Sequence, residues 1–230
     1  MEAIVLAGGF GTRLAHIVSD VPKPMASVSG RPFLEYILTD LVQNGVDHIV
    51  IAVHHMKETI MNYFGNTYQG AAIDYSVEEI PLKTGGAIKK ALSLCREDRV
   101  LIINGDTFYK VPLRDMLHHA QNVGTPICIA VREMTNFSRY GKADVSEDGF
   151  ITAFHEKELC AKGYINGGIY AIEKNVLDKY PQVFSIEELC FPNMLADRKI
   201  AAFVSNAYFI DIGIPEDYAR AQKDFQEYMT

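Results

Sequence analysis

Short apolar runs alternate with amphipathic stretches along the first half of the chain. Residues 3–7 (Ala-Ile-Val-Leu-Ala) are continuously apolar and stop at Gly8-Gly9, the pattern of a strand buried on both faces. Pro32 opens a 3.6-residue periodicity with Phe33, Leu34, Ile37, Leu38, Leu41 and Val42 on one face and Gly45 closing it, which predicts a helix. Residues 48–53 predict a second strand, 57–64 a helix, 73–77 a third strand, and 86–95 a helix with Ala87, Ile88, Ala91 and Leu92 inward. Residues 100–103 predict a fourth strand, 113–120 another helix and 126–131 a fifth strand. Such alternation implies an α/β fold, a Rossmann-like and mostly parallel sheet flanked by helices on both faces.

After Arg132 the texture changes. Residues 142–145, 150–155 and 165–172 read as strands, and Glu147-Asp148-Gly149 is a hairpin signal. Helical patterns return at 176–180 and 186–197, with a strand at 201–204 and then a last helix. That helix begins at Pro215, with Glu216 and Asp217 in its first turn where the dipole favours acids. No internal repeat, low-complexity tract or linker interrupts the pattern. One domain is therefore expected over residues 1–230, with a first half to about 132 and a small, more antiparallel lobe over about 133–230.

Charge narrows the partners. The 230 residues include 22 Lys plus Arg and 29 Asp plus Glu, a net charge of −7. A protein that binds a nucleic-acid backbone or an anionic membrane needs surplus positive charge, so neither partner is expected. No apolar run approaches the roughly 20 residues of a membrane helix, and the N-terminus lacks a secretory pattern. Cys95, Cys128, Cys160 and Cys190 are scattered without C-x-x-C or metal spacing, as expected of reduced thiols in a cytoplasmic protein. The adjacent pairs His54-His55 and His118-His119 read as surface or capping residues.

The strongest chemical signal is Leu6-Ala7-Gly8-Gly9-Phe10-Gly11-Thr12-Arg13-Leu14, directly after the first strand. Three glycines in four positions allow backbone N–H groups to converge on an anion, and Arg13 adds a bidentate phosphate donor. This is neither a P-loop, which needs Gly-Lys-Ser/Thr, nor a dinucleotide fingerprint, whose third glycine is replaced by Leu14. Ten residues on, Pro22 and Pro24 hold Lys23 out of regular helix. So held, it suits a fixed charge beside a phosphate, although an isolated loop lysine is usually solvated.

Leu-Ala-Gly-Gly-x-Gly-Thr-Arg-Leu followed by Pro-Lys-Pro resembles the signature of the sugar-1-phosphate nucleotidyltransferases. Further motifs extend the resemblance over nearly the whole chain: Asn104-Gly105-Asp106, Glu156-Lys157, residues 166–170 (Asn-Gly-Gly-Ile-Tyr) and residues 211–218 (Asp-Ile-Gly-Ile-Pro-Glu-Asp-Tyr). The resemblance implies a GT-A-like nucleotidyltransferase fold whose first half takes the nucleotide and whose second lobe takes the sugar phosphate. It implies Arg13 and Lys23 as catalytic residues. Leu6, Ala7, Gly8, Gly9, Gly11, Thr12, Glu78, Thr84, Gly85, Asn104 and Gly105 are then the further nucleotide contacts. Gly141, Glu156, Lys157, Asn166, Gly167 and Gly168 become the sugar-phosphate contacts, and Asp106 and Asp211 the ligands of Mg²⁺. Separate reasons stand beside these. Asp106 leaves the carboxyl end of a buried strand, where open α/β sheets place ligands, and two carboxylates suit Mg²⁺. Either Asp alone could equally cap a turn. Lys157, read as lying among apolar strands, calls for an anion. The Asn166-Gly167-Gly168 stretch fits either sugar hydroxyls or a β-bulge.

Residues 78–87 (Glu-Glu-Ile-Pro-Leu-Lys-Thr-Gly-Gly-Ala) resemble the family's base-recognition loop, with Glu78, or Glu79 in the next register, facing the base. A carboxylate can accept from guanine N1–H and N2–H₂ together, which favours GTP. The alternative is that both acids are exposed. Lys83 stands where many relatives have Gly. Among the branches, the motifs are most similar to the guanylyltransferases for D-glycero-α-D-manno-heptose 1-phosphate of surface polysaccharide biosynthesis. The partners implied are a nucleoside triphosphate and a sugar 1-phosphate, and a homodimer is compatible with the sequence. Two other readings stay open: a uridylyltransferase for N-acetylmuramic acid 1-phosphate or a hexose 1-phosphate, and a catalytically silent sugar-nucleotide sensor.

Overall fold

Side chains along the first strand alternate between two cores. Ala3, Val5 and Ala7 enter one apolar cluster and Ile4 the other, all essentially without solvent contact. Each such isoleucine or valine contributes about 1.5–3 kcal/mol by leaving water, so a strand this apolar is stable only between two helical layers. The computed structural model describes residues 1–9, 18 and 20–228. In chain order its elements are β1 (Glu2–Leu6), β2 (Ser27–Val28), β3 (Arg31–Pro32), α1 (Phe33–Gln43), β4 (His48–Val53), α2 (Lys57–Phe64), β5 (Thr67–Tyr68) and β6 (Ala71–Val77). There follow α3 (Lys83–Leu92), β7 (Arg99–Asn104), β8 (Thr107–Tyr109), α4 (Leu113–Val123), β9 (Ile127–Phe137), β10 (Gly141–Val145) and β11 (Ile151–Lys157). The chain ends with β12 (Cys160–Glu173), α5 (Phe191–Leu195), β13 (Ile200–Val204), β14 (Phe209–Asp211) and α6 (Pro215–Tyr228).

Ten strands form one mixed sheet, whose centre runs β7-β1-β4-β6 in parallel. β12 lies antiparallel on the far side of β7, and β9, β10 and β11 extend the antiparallel part, with β13 parallel to β9. Helices α1, α2, α4 and α6 pack on one face, where Phe225 meets the rings of Phe33, Tyr36 and Phe108. α3 and α5 pack on the other. The expected α/β fold, with its antiparallel part behind a parallel sheet, is the fold found. From β1 the chain steps outward through β4 to β6, then returns to the other side of β1 for β7. Strand order therefore reverses between β1 and β7, and a crevice at their carboxyl ends is where such sheets bind ligands.

Three expectations change. Residues 174–179 are turns and not a helix, because five patterned residues before Pro181 are too few to nucleate one. The segment 186–197 starts with a π-type turn at Ile186–Cys190, whose Glu188 N–H is capped by Ser185, before α5 begins. β9 and β12 run well past their apolar cores, because their polar ends pair with each other from Phe137 opposite Cys160 onward. The hairpin at 147–149 is present: Gly149 has φ +84° and donates to the Ser146 carbonyl at 2.9 Å. Among the described residues, no helix is long and apolar enough to cross a membrane.

Candidate active site

The crevice at the strand ends is a cleft of about 480 Å³. After β1 it is lined by Leu6, Gly8 and Gly9, after β4 by His54, and after β6 by Glu78. Lys83, Thr84 and Ala87 come from the start of α3, Asn104 and Asp106 from the end of β7, and Lys23, Pro24 and Gly213 from loops elsewhere in the chain. Eight residues expected from the sequence therefore meet in one place: Leu6, Gly8, Gly9, Lys23, Glu78, Thr84, Asn104 and Asp106. Gly11, Thr12 and Arg13 lie outside the described residues.

Backbone closeness explains the glycine of the first loop. A Cβ on Gly8 would lie 3.1 Å from Glu78 Oε1 and 3.3 Å from His54 Cβ. Glu78 is buried, its Oε2 accepts from the Leu82 N–H at 2.9 Å, and its carbonyl accepts from His54 Nδ1 at 2.8 Å. Glu79 is exposed, so Glu78 is the acid turned into the cleft. His54, read from the sequence as a surface or capping residue, is half-buried there; its place at the carboxyl end of a parallel strand was the signal for it. Ala7 is buried at the end of β1, and its N–H bonds the Ala52 carbonyl.

Two expected contacts turn away from the cleft. Gly85 donates its N–H to the Phe184 carbonyl at 2.9 Å, and any side chain there would strike the Phe184 ring. Gly105 donates to the Leu6 carbonyl at 2.9 Å and fastens the end of β7 to β1. Thr84 borders the cleft, but its hydroxyl donates to Glu187 Oε2 at 2.6 Å and accepts from Ile186 N–H.

Lys23 rests on carboxylates. Its ammonium is 2.5 Å from Asp106 Oδ2 and 3.7 Å from Asp211 Oδ1, with the side chain only 9% exposed. The Pro22–Met25 turn aims it, and the β8–β14 pair, which sets Asp211 opposite Thr107, brings the two acids together. Asp211 Oδ1 also accepts from Gly213 N–H at 2.7 Å. Both carboxylates thus reach one cation position. No cluster of three or more His, Cys, Asp or Glu that could hold a metal occurs among the described residues. Two carboxylates completed by water and phosphate oxygens are what Mg²⁺ accepts, so the donor set fits that ion. Nearby, burial and then the Asp211 charge push the Tyr140 phenol up to about 12, and Arg139 pairs with Asp217 at the start of α6.

The second-lobe residues do not line this cleft. Glu156 and Lys157 are exposed near the end of β11, with Gly141 opposite Lys157 in register. The burial argument for Lys157 is therefore wrong, because β11 carries no covering layer at that end. At Asn166-Gly167-Gly168 the register shifts, so the stretch forms a bulge. Its amide is used internally: Asn166 Oδ1 accepts from Gly168 N–H at 2.9 Å, and Nδ2 donates to the Tyr170 hydroxyl at 3.1 Å. The bulge sets Gly167 under the Tyr109 ring and Gly168 against the Asn104 side chain at the cleft.

Sheet order and a strand-end cleft define an α/β protein that takes its ligand where the strand order reverses. Within it, the Nucleotidyl transferase family matches residues 2–228. The chain belongs to that family, as its motifs implied, and is an enzyme of nucleotidyl transfer. It is 43% identical to D-glycero-alpha-D-manno-heptose 1-phosphate guanylyltransferase of Aneurinibacillus thermoaerophilus, over 100% of both chains. Identity to the protein of that name from Campylobacter jejuni is 40%, over 95% of this chain and 97% of the relative. The crystal structure of HddC from Yersinia pseudotuberculosis matches with a TM-score of 0.89 at 34% identity, covering 97% of this chain and 99% of that one. The same protein complexed with GMP-PN gives 0.87.

Proposed function

We propose that the protein transfers a guanylyl group from GTP to D-glycero-α-D-manno-heptose 1-phosphate in the cytoplasm, releasing pyrophosphate and a GDP-sugar for surface polysaccharide. The observation that carries this reading is the buried Glu78 carboxylate, facing into the cleft that also holds Asp106. Guanine N1–H and N2–H₂ can donate to it together, which no pyrimidine can match. The full-length relatives named for this reaction and the neighbour complexed with GMP-PN support the same choice.

A phosphate oxygen of the sugar 1-phosphate attacks the α-phosphorus of GTP, and the bond to the β-phosphate breaks in line. No covalent enzyme intermediate is required, so positioning and charge neutralisation supply the rate. The backbone of Gly8 and Gly9, with Gly11, Thr12 and Arg13, holds the triphosphate. Lys23, turning from the carboxylates, donates to the α-phosphate. Asp106 and Asp211 would hold Mg²⁺, which when bound would supply positive charge against the phosphate oxygens. Lys157, with Gly141 and Glu156, receives the sugar phosphate from the open side. Asn166, Gly167 and Gly168 act by fixing Asn104.

Pyrophosphate release, measured with four NTPs against a panel of sugar 1-phosphates, tests the reading. GTP with the heptose 1-phosphate is expected to be fastest, and a preference for UTP with N-acetylmuramic acid 1-phosphate would refute it. Asp106→Ala should lose several orders of magnitude in turnover while staying folded. Normal turnover in that variant would refute the site.

A further inference from the structure

Lys83 opens α3 with φ +60°, a backbone conformation that glycine adopts freely and an L side chain adopts only at a cost. Packing does not explain a lysine there, since the side chain is more than half exposed. Its ion pair does not either. The ammonium lies 3.4 Å from the exposed Glu188 carboxylate, an arrangement of small net value from which it is readily released. Strain kept at a cleft-lining position points to a side chain that acts on what the cleft binds.

The loop geometry says where it can act. Lys83 and Glu78 line the same cleft, and the Glu78 carboxylate is tied to the N–H of Leu82, the residue just before Lys83. The flexible stem of Lys83 therefore starts beside the buried acid and can set its ammonium next to that carboxylate's open side. The paired edge of guanine presents an acceptor, O6, adjoining two donors, N1–H and N2–H₂. An ammonium beside a carboxylate is the complement of that edge. Adenine offers a donor where O6 would be, and uracil offers an acceptor where N2–H₂ would be, so each meets a like-signed group.

We propose that Lys83 donates to guanine O6 while Glu78 accepts from N1–H and N2–H₂, so that these two residues together select the base. This rests on the guanylyl reading above. Glu188 then serves as a resting partner that keeps the ammonium at the mouth of the cleft, and base binding exchanges one acceptor for another.

The experiment compares kcat/KM for GTP, 6-thio-GTP, ITP and UTP in wild type, Lys83→Gly and Lys83→Arg, alongside thermal melting. Sulfur at position 6 weakens the acceptor assigned to Lys83, its effects on size and on N1–H being common to wild type and Lys83→Gly, and ITP removes the amino group assigned to Glu78. Wild type should favour GTP over 6-thio-GTP by on the order of tenfold, as one charged contact to a base edge does. Lys83→Gly should bring that ratio to within about twofold, leave the GTP-to-ITP ratio unchanged and melt no lower than wild type, while Lys83→Arg restores the ratio. Guanine preference with an unaltered GTP-to-6-thio-GTP ratio in Lys83→Gly overturns this assignment alone. So does an equal loss on every nucleotide, which marks a structural role. A wild-type preference for UTP overturns the guanylyl reading and this assignment together.

Discussion

Replacing Lys23 by Met removes a cation from between two acids and leaves the apolar stem nearly intact. The ammonium lies 2.5 Å and 3.7 Å from the Asp106 and Asp211 oxygens, so these oxygens are no more than about 6 Å apart. Two like charges at that separation repel by about 3 kcal/mol at an effective dielectric of about 20. Asp106 is 35% exposed, and water there reduces the unscreened figure to about 2 kcal/mol. For a chain of this size that corresponds to a fall in melting temperature of about 4–8 °C.

The same repulsion predicts a rescue. A divalent cation at the shared position replaces the lost charge, so millimolar Mn²⁺ or Mg²⁺ should recover most of the deficit in Lys23→Met. Wild type should respond much less, because its own ammonium competes for the two carboxylates. Scanning fluorimetry with and without the metal reads the stability, and isothermal titration with Mn²⁺ alone reads tighter binding by the variant. Turnover is read separately and should fall by about 10²–10³ through loss of the α-phosphate contact. A variant as stable as wild type, with no stronger response to metal, would refute the idea that Lys23 and the metal share one pair of acids.

Three further outcomes are expected from local geometry. Burial pushes the Asp40 carboxyl up to about 6, partly opposed by Lys110, against an ordinary 3.8. Its proton-linked stability is therefore full below about pH 4 and lost as pH rises through 6. Asp40→Asn should stabilise the protein by about 1–3 kcal/mol at pH 8 and hardly at all at pH 4 in urea melts; equal gains at both would rule out this titration. Gly105→Ala puts a Cβ 2.6 Å from the Leu6 carbonyl oxygen, which β1 holds in place, so it should cost about 1–3 kcal/mol and lower turnover by displacing Asp106. Wild-type melting would show that this contact yields. Lys157→Ala should melt as wild type does, since the side chain is exposed, while KM for the sugar 1-phosphate rises by about tenfold, the worth of one charged contact, and KM for GTP stays put. An unchanged sugar-phosphate KM removes Lys157 from the site.

Local chemistry made the nucleotide side of the cleft legible in sequence. Ala3 to Ala7 and Val100 to Ile103 are so apolar that only a two-faced burial suits them, and the residues just beyond those strands, Gly8 and Asp106, had to sit at a sheet edge. The burial argument for Lys157 failed because burial was inferred from neighbouring residues, when the residue is exposed near the end of β11. Asn166 could not be decided, since a bulge and a sugar contact both use an amide beside glycines. His54 and the internal duties of Thr84 and Gly85 were hidden because their partners, the Glu78 carbonyl, Glu187 and Phe184, are distant in sequence or backbone atoms. Composition carries no trace of such pairs.

Charge in the cleft sets a condition on how the site can hold a triphosphate. Lys23 and Lys83 line it with Glu78 and Asp106, and Asp211 stands against Lys23, so two cations face three acids. With the whole chain at −7, no long-range positive field draws the substrate in. Arg13 restores one charge at most, which leaves the described residues and Arg13 together near neutral. On the reading proposed above, attraction to GTP then comes from sources that add no side-chain charge: backbone N–H groups of the glycine loop and a divalent ion that arrives on the phosphates. Asp106 and Asp211 would offset the cleft's own cations, so a nucleotide that carries its metal brings the charge the described residues lack, and an acidic surface becomes a filter for that form.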